Sequence, residues 1–233
     1  MGMFDSMKRR KAERALAENT ARYTTELEKW NANDASLTEM IEIVDAGINE
    51  KLDTVFTDRS DYGFMLKTDE FPIGAVSQCG YIELVRAPSQ HTGGYGGVSF
   101  PIFGGIRVNT GRFGGQTIPG SESMNMTDQG TALITNQRVM FQGTLRTHEW
   151  KFSKMMGMSH LPGGITTFAM TTAGKPAGFG YGDAVAPQVQ FRLEFAAALS
   201  LGTLERFRGE LMVEKDKHDA EKPVPPAPLT SAG

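Results

Sequence analysis

The chain has a single cysteine, Cys79, so no intrachain disulfide and no paired-cysteine metal site can be built from it. A lone thiol fits a reducing compartment. No apolar run reaches the length of a membrane span. The first residues, Met1 to Lys11, carry their charges after the apolar residues rather than before them, which is not a secretory pattern. The expected location is therefore cytoplasmic. An excess of either sign is also lacking: the formal net charge is −3, which exerts no global pull on nucleic acid or an anionic bilayer. Any such role needs a local basic patch.

Catalytic patterns are equally sparse. His91, His148, His160 and His218 share no metal-ligand spacing. No Gly-x-Ser-x-Gly elbow and no Gly-Lys-Ser/Thr element occurs. Asp69, Glu70, Glu83, Glu122 and Glu149 are dispersed, with no pair assignable to acid–base work. Cys79 lies in a strand-like run before Gly80 and reads as a small buried hydrophobe rather than a nucleophile. The expectation is a protein with no catalytic residue, no cofactor and no metal.

What is present divides the chain into three. Residues 1–56 form a helical arm. Apolar residues recur at Leu16, Tyr23, Leu27, Trp30, Leu37, Ile41, Val44 and Ile48, in steps of four and three from Tyr23 onward, a heptad stripe if Asp34 takes one slot. Asn31-Ala32-Asn33-Asp34-Ala35-Ser36 is a poor helix interior, and Ser36 with Glu39 reads as a capping box. The spacing thus predicts two helices, about 5–31 and 37–50. Packing of the stripe onto the chain's own domain is favoured over a coiled-coil homo-oligomer, because the heptads are few and interrupted. The alternative reading is a structural or assembly protein that oligomerises through this stripe.

Residues 57–212 carry turn punctuation and period-two patterns, with most of the 27 glycines. Strands are predicted at 63–67, 73–78, 81–86, 105–109, 130–135, 138–142, 147–151 and 166–171. The strongest hairpin signal is Thr131 to Phe141, where two apolar runs flank Asn136-Gln137; asparagine tolerates the left-handed conformation of such turns. Val185, Val189, Phe191, Leu193, Phe195, Ala196 and Leu199 give an apolar helical face, broken at Gly202 and resumed by Leu204, Phe207 and Leu211. Residues 213–233 are charged and then proline-rich, and are expected to be disordered.

Asp128 to Gly143, with Thr135, Asn136, Arg138 and Phe141 as its signature hairpin, resembles pleckstrin-homology-like (PH-like) and GRAM-like domains of bacteria. That resemblance implies an α+β fold: a bent β-sheet or partly open barrel with a C-terminal helix, here preceded by the helical arm. It also implies a binding module for proteins, peptides or lipid head groups. The basic residues of a phosphoinositide pocket have no clear counterpart; only Arg86, Arg107, Arg112, Arg138 and Arg146 are scattered between strands. The layout is also similar to a group of proteins of high-GC Gram-positive bacteria and their phages, in which a helical lead precedes an element matched here by Gly97-Val98-Ser99-Phe100-Pro101-Ile102. That second likeness implies fold more than function.

Two candidate contact regions remain. Met3, Phe4 and Met7 beside Lys8, Arg9, Arg10 and Lys11 form an apolar tip with a basic collar, the composition of an interfacial helix, although a solvated charge run has the same look. No interleaved aromatic platform supports nucleic acid. The Gly-rich stretch from about 87 to 120 is long for a loop and offers His91, Tyr95, Phe100, Arg107 and Arg112 as contact residues. A phosphate cradle needs a helix directly after the glycines, and none is predicted here. The reading is a non-enzymatic module that meets a protein partner, with contact at the inner membrane face; a small-molecule enzyme using the Gly-rich loop is the remaining alternative.

Overall fold

The computed structural model describes residues 3–58, 60–86, 122–172 and 174–227. One helix, α1 (Met3–Ile48), covers the arm where two were expected. The weak stretch at 31–36 stays helical because its polar groups find partners. Asp34 takes an ion pair from Lys215 at 2.8 Å, and Thr38 Oγ1 donates to the Asp34 carbonyl. Thr20, Thr24 and Thr25 likewise donate to the carbonyl four residues back. A short helix, α2 (Leu52–Val55), follows.

The fold is α+β. Among the described residues, seven strands form one antiparallel sheet: β1 (Pro72–Arg86), β2 (Glu122–Thr135), β3 (Arg138–Gly143), β4 (Thr147–Lys151), β5 (Met155–Leu161), β6 (Ile165–Met170) and β7 (Ala177–Gly180). Their order is β4-β3-β2-β1-β7-β6-β5. The edge strands β4 and β5 are joined by a single 3-10 turn, Phe152–Lys154. So short a link cannot cross a flat sheet of this width, where strands lie about 4.8 Å apart, and the sheet must curl until its ends approach.

The bend has a local device in β1. Register slips between Val76 and Cys79, and Gln78 adopts φ +56°, the left-handed conformation of a bulge. Among the described residues, β1 pairs with β2 alone before the bulge; beyond it, Gly80 to Glu83 pair with β7 as well. The sequence reading places two strands here, split where the bulge falls. The strand expected at 63–67 is absent. Its backbone is satisfied by side chains instead: Arg138 Nη2 donates to the Met65 carbonyl at 2.7 Å, and Glu70 accepts the Lys67 N–H at 2.8 Å. β5, β7 and the first half of β2 were not foreseen, and the strand expected at 105–109 lies outside the described residues.

After β7 come α3 (Ala186–Ser200) and α4 (Leu204–Ala220), separated at Gly202, which adopts φ +66°. α4 extends to Ala220, through the charged stretch expected to be disordered from 213. The chain divides into two compact units, Ile43–Gly209 and Met1–Glu42 with Glu210–Gly233. The first holds the sheet and α3. Its interior is aromatic: Trp150, Phe168 and Phe179 form one ring cluster, and Phe56, Phe191, Phe195 and Phe207 another. In the second, the Trp30 and His218 rings stack at 4.7 Å. Trp30 Nε1 donates to the His218 carbonyl at 2.8 Å, and His218 Nε2 donates to the Trp30 carbonyl at 3.1 Å.

Candidate functional site

The signature hairpin is built as the sequence predicts: β2 ends at Thr135, β3 begins at Arg138, and Asn136-Gln137 is the whole loop. Its turn is not the left-handed one expected, since neither loop residue is among the described residues with positive φ. Thr135 Oγ1 instead accepts the Gln137 and Arg138 N–H groups at 3.2 and 3.1 Å. Asn136 turns to another segment. Its Oδ1 accepts the Phe71 N–H at 3.0 Å and its Nδ2 donates to the Asp69 carbonyl at 2.9 Å.

Arg138 reaches the same segment. It donates to both oxygens of Glu70 at 2.8 Å and to Glu149 Oε1 at 2.6 Å. The Glu70 side chain is 0% exposed. Burial works against its charge, but Arg138, the Lys67 N–H and Thr135 outweigh that and hold the carboxyl below its usual range. Phe141 is buried against Tyr81, ring centroids 5.5 Å apart. Thr135, Arg138 and Phe141 are therefore interior wiring of the fold rather than a surface for a ligand. Glu70 escaped the sequence reading because nothing local ties it to a residue so far along the chain.

Asp128 is a second buried carboxylate that was missed. It accepts the N–H groups of Gln129, Thr144, Leu145 and Arg146, and the Thr144 hydroxyl, at 2.8–3.1 Å. Burial raises its pKa, but these donors override it and bring the carboxyl down to about 2. It thereby holds the β3–β4 turn. Gly130 is required beside it, because a Cβ there would stand 2.0 Å from the Gln142 carbonyl oxygen. The Asp128-Gln129-Gly130 and Gly143-Thr144 segments are the visible trace of this arrangement in the sequence.

Two histidines gather chemistry-bearing neighbours. His148 stacks on Tyr81 at 4.2 Å, with the Arg146 guanidinium 5.4 Å from the Tyr81 ring and paired to Glu83 at 3.3 Å. Burial, then Arg146, lowers the His148 pKa, and burial raises that of Tyr81. His160 lies between Glu194 (Nε2–Oε1, 3.3 Å) and Thr166 (Nδ1–Oγ1, 2.8 Å), and Thr166 is 2.7 Å from the Tyr181 hydroxyl. Tyr181, Thr166, His160 and Glu194 thus form one polar chain, its donor order set by the imidazole tautomer. The order resembles a nucleophile–base–acid relay. However, Thr166 is 0% exposed and its oxygen is already engaged, so a substrate has no approach to it. The chain ties β5 and β6 to α3. Cys79 is fully buried, and burial pushes its thiol up to about 12.

The basic tip is the start of α1. Met3, Phe4, Lys8 and Arg9 belong to its opening turns, Met7 is 64% exposed, and Arg10 and Lys11 are exposed. His91, Tyr95, Phe100, Arg107 and Arg112 lie outside the described residues; the strands that flank them meet at the Arg86–Glu122 pair. Among the described residues, no three of His, Cys, Asp and Glu gather as metal ligands, and no helix is long and apolar enough to cross a membrane. Comparison of the chain with family models, curated proteins and solved structures finds no match.

Proposed function

We propose that this chain is a non-enzymatic binding module of PH/GRAM-like architecture, which meets a protein partner and touches an anionic membrane surface with the first turns of α1. The observation that carries the reading is topological. A four-strand meander and a three-strand meander share one antiparallel sheet of order β4-β3-β2-β1-β7-β6-β5, and α3 follows the last strand after one 3-10 turn. The C-terminal helix expected from the resemblance corresponds to α3, which packs on β1 and β2.

The membrane part rests on Met7, Arg10 and Lys11. An exposed apolar side chain beside exposed cations gains from both insertion and charge attraction at an anionic interface. The test is co-sedimentation of the full chain with vesicles of phosphatidylcholine alone and with phosphatidylserine, across a salt series. Binding to the anionic vesicles that weakens with salt, and is lost in Lys8→Glu/Arg10→Glu/Lys11→Glu, is the expected result. Equal pelleting of the variant removes the membrane part and leaves a protein-binding module.

A further inference from the structure

We propose that the segment after α4, from Lys222 to Ala227, is a docking peptide: a polyproline-II segment, pinned at its start to α1, that enters an aromatic-lined groove of a partner protein. The conformation follows from the residues. The sequence reads Lys222-Pro223-Val224-Pro225-Pro226-Ala227-Pro228, so each position from Lys222 to Ala227 is a proline or stands directly before one. A proline ring fixes φ near about −65°, and the residue before it is driven to extended backbone. Both restrictions lead to the polyproline-II helix, which has about three residues per turn and no internal hydrogen bonds.

Residues 222–227 are neither helix nor strand. The chain leaves α4 through closing hydrogen bonds: the Glu221 N–H donates to the Lys217 and His218 carbonyls at 3.2 and 3.1 Å, and the Lys222 N–H to the Asp219 carbonyl at 3.4 Å. Pro223 has no N–H to continue the helix. Lys222 Nζ lies 4.8 Å from the centre of the Trp30 ring on α1, which sets where the segment starts. Pro223 and Pro226 are half-buried and one polyproline-II turn apart, so that edge of the segment faces the chain itself. Val224 is 83% exposed, and Pro225 and Ala227 are exposed, so the other two edges point outward.

The form of the segment selects the partner. Addition to a sheet edge needs backbone N–H donors, and Pro223, Pro225 and Pro226 have none. The same residues close the second route, seating as a helix in an apolar groove. The remaining mode is the groove that takes polyproline-II segments against aromatic side chains. Pro225-Pro226-Ala227-Pro228 has the Pro-x-x-Pro spacing of such ligands, and Val224 and Pro225 place apolar side chains on the outward edges; Pro228 lies outside the described residues. A stiff segment with a pinned start loses little further entropy on docking. The inference rests on this segment alone, and is independent of the PH/GRAM-like reading of the sheet and of membrane contact by α1.

The test is an NMR titration of the isotope-labelled full chain with an SH3 domain and, separately, with a WW domain, two folds that take polyproline-II peptides in aromatic grooves. Each is added up to about 1 mM, which reaches weak affinities. The expected result is saturable movement of the Val224 and Ala227 amide signals with at least one of the two domains, reversed by an excess of a free proline-rich peptide. Pro225→Ala and Val224→Asp should each weaken that binding by about tenfold or more, and Pro223→Ala, on the half-buried edge, by less. The β3 amide signals should stay in place in every variant, showing that the fold is kept. The proposal is overturned if neither domain gives saturable shifts. It is also overturned if the shifts fall on the sheet or α1 and leave Val224 and Ala227 unmoved, or if both Pro225→Ala and Val224→Asp bind as the unaltered chain does.

Discussion

Arg138 holds Glu70 with two parallel hydrogen bonds, Nε to Oε1 and Nη2 to Oε2, both 2.8 Å long. The pair joins the start of β3 to the loop before β1, and it is desolvated, with the two side chains 11% and 0% exposed. Removing one partner strands the other's charge in the interior, which costs roughly 3–5 kcal/mol. Arg138→Met should therefore lower urea-unfolding stability by about that amount. Glu70→Gln should also destabilise. The double variant should lose clearly less than the sum of the two, because no unpaired charge is left behind. Additive losses in that cycle would mean the two residues are not coupled.

Asp128 makes acid stability the next measurable. Its carboxyl is depressed to about 2 in the folded chain, against about 3.9 when unfolded. A depressed carboxyl contributes stability that is complete above the unfolded value and is lost as pH falls through the folded one. Glu70 and Glu149 are lowered as well and act in the same direction. Unfolding midpoints should thus fall between about pH 4 and pH 2, and Asp128→Asn should fall less steeply over that window. At neutral pH the variant should already be weaker, since its NH2 replaces one oxygen and faces two of the four backbone N–H groups, either Gln129 and Thr144 or Leu145 and Arg146, that the carboxylate accepts. Parallel pH profiles for the two proteins would remove Asp128 as a contributor.

The parts of this fold that were legible in the sequence are the locally determined ones. The two-residue hairpin loop, β4 and the break at Gly202 each follow from a few neighbouring residues. The Glu70–Arg138 pair spans 68 positions, and no periodicity reports a partner that only the strand register brings close. β5 and β7 were missed because Met155-Met156-Gly157-Met158 and Ala177-Gly178-Phe179-Gly180 lack β-branched residues and clear alternation; their neighbours in the sheet, not their propensity, make them strands. The arm misled for the converse reason. Asn31, Asn33, Asp34 and Ser36 lower helix propensity by a few tenths of a kcal/mol each. Lys215 repays part of that through Asp34, whose carboxyl its hydrogen bond holds below the usual range.

The same clasp explains why α4 continues to Ala220 through Glu214-Lys215-Asp216-Lys217, a run that alone would be a solvated coil. Trp30 and His218 each donate to the other's carbonyl, their rings stack with an interplanar angle of 7°, and Lys222 lies 4.8 Å from the Trp30 ring. Trp30→Ala removes the stack and one of the two hydrogen bonds, and leaves the His218 carbonyl to the Glu221 N–H. A loss of about 1–2 kcal/mol is expected locally, on the order of tenfold faster amide exchange over residues 213–220. Amides of β3, which draw nothing from this clasp, should keep their protection. Asp34→Asn should give a smaller effect in the same residues, because its ion pair with Lys215 is partly exposed and screened. If exchange at 213–220 is unchanged in Trp30→Ala, the helix end is held by its own i,i+4 pair, Lys215–Asp219, and the clasp is a consequence of the helix rather than its cause.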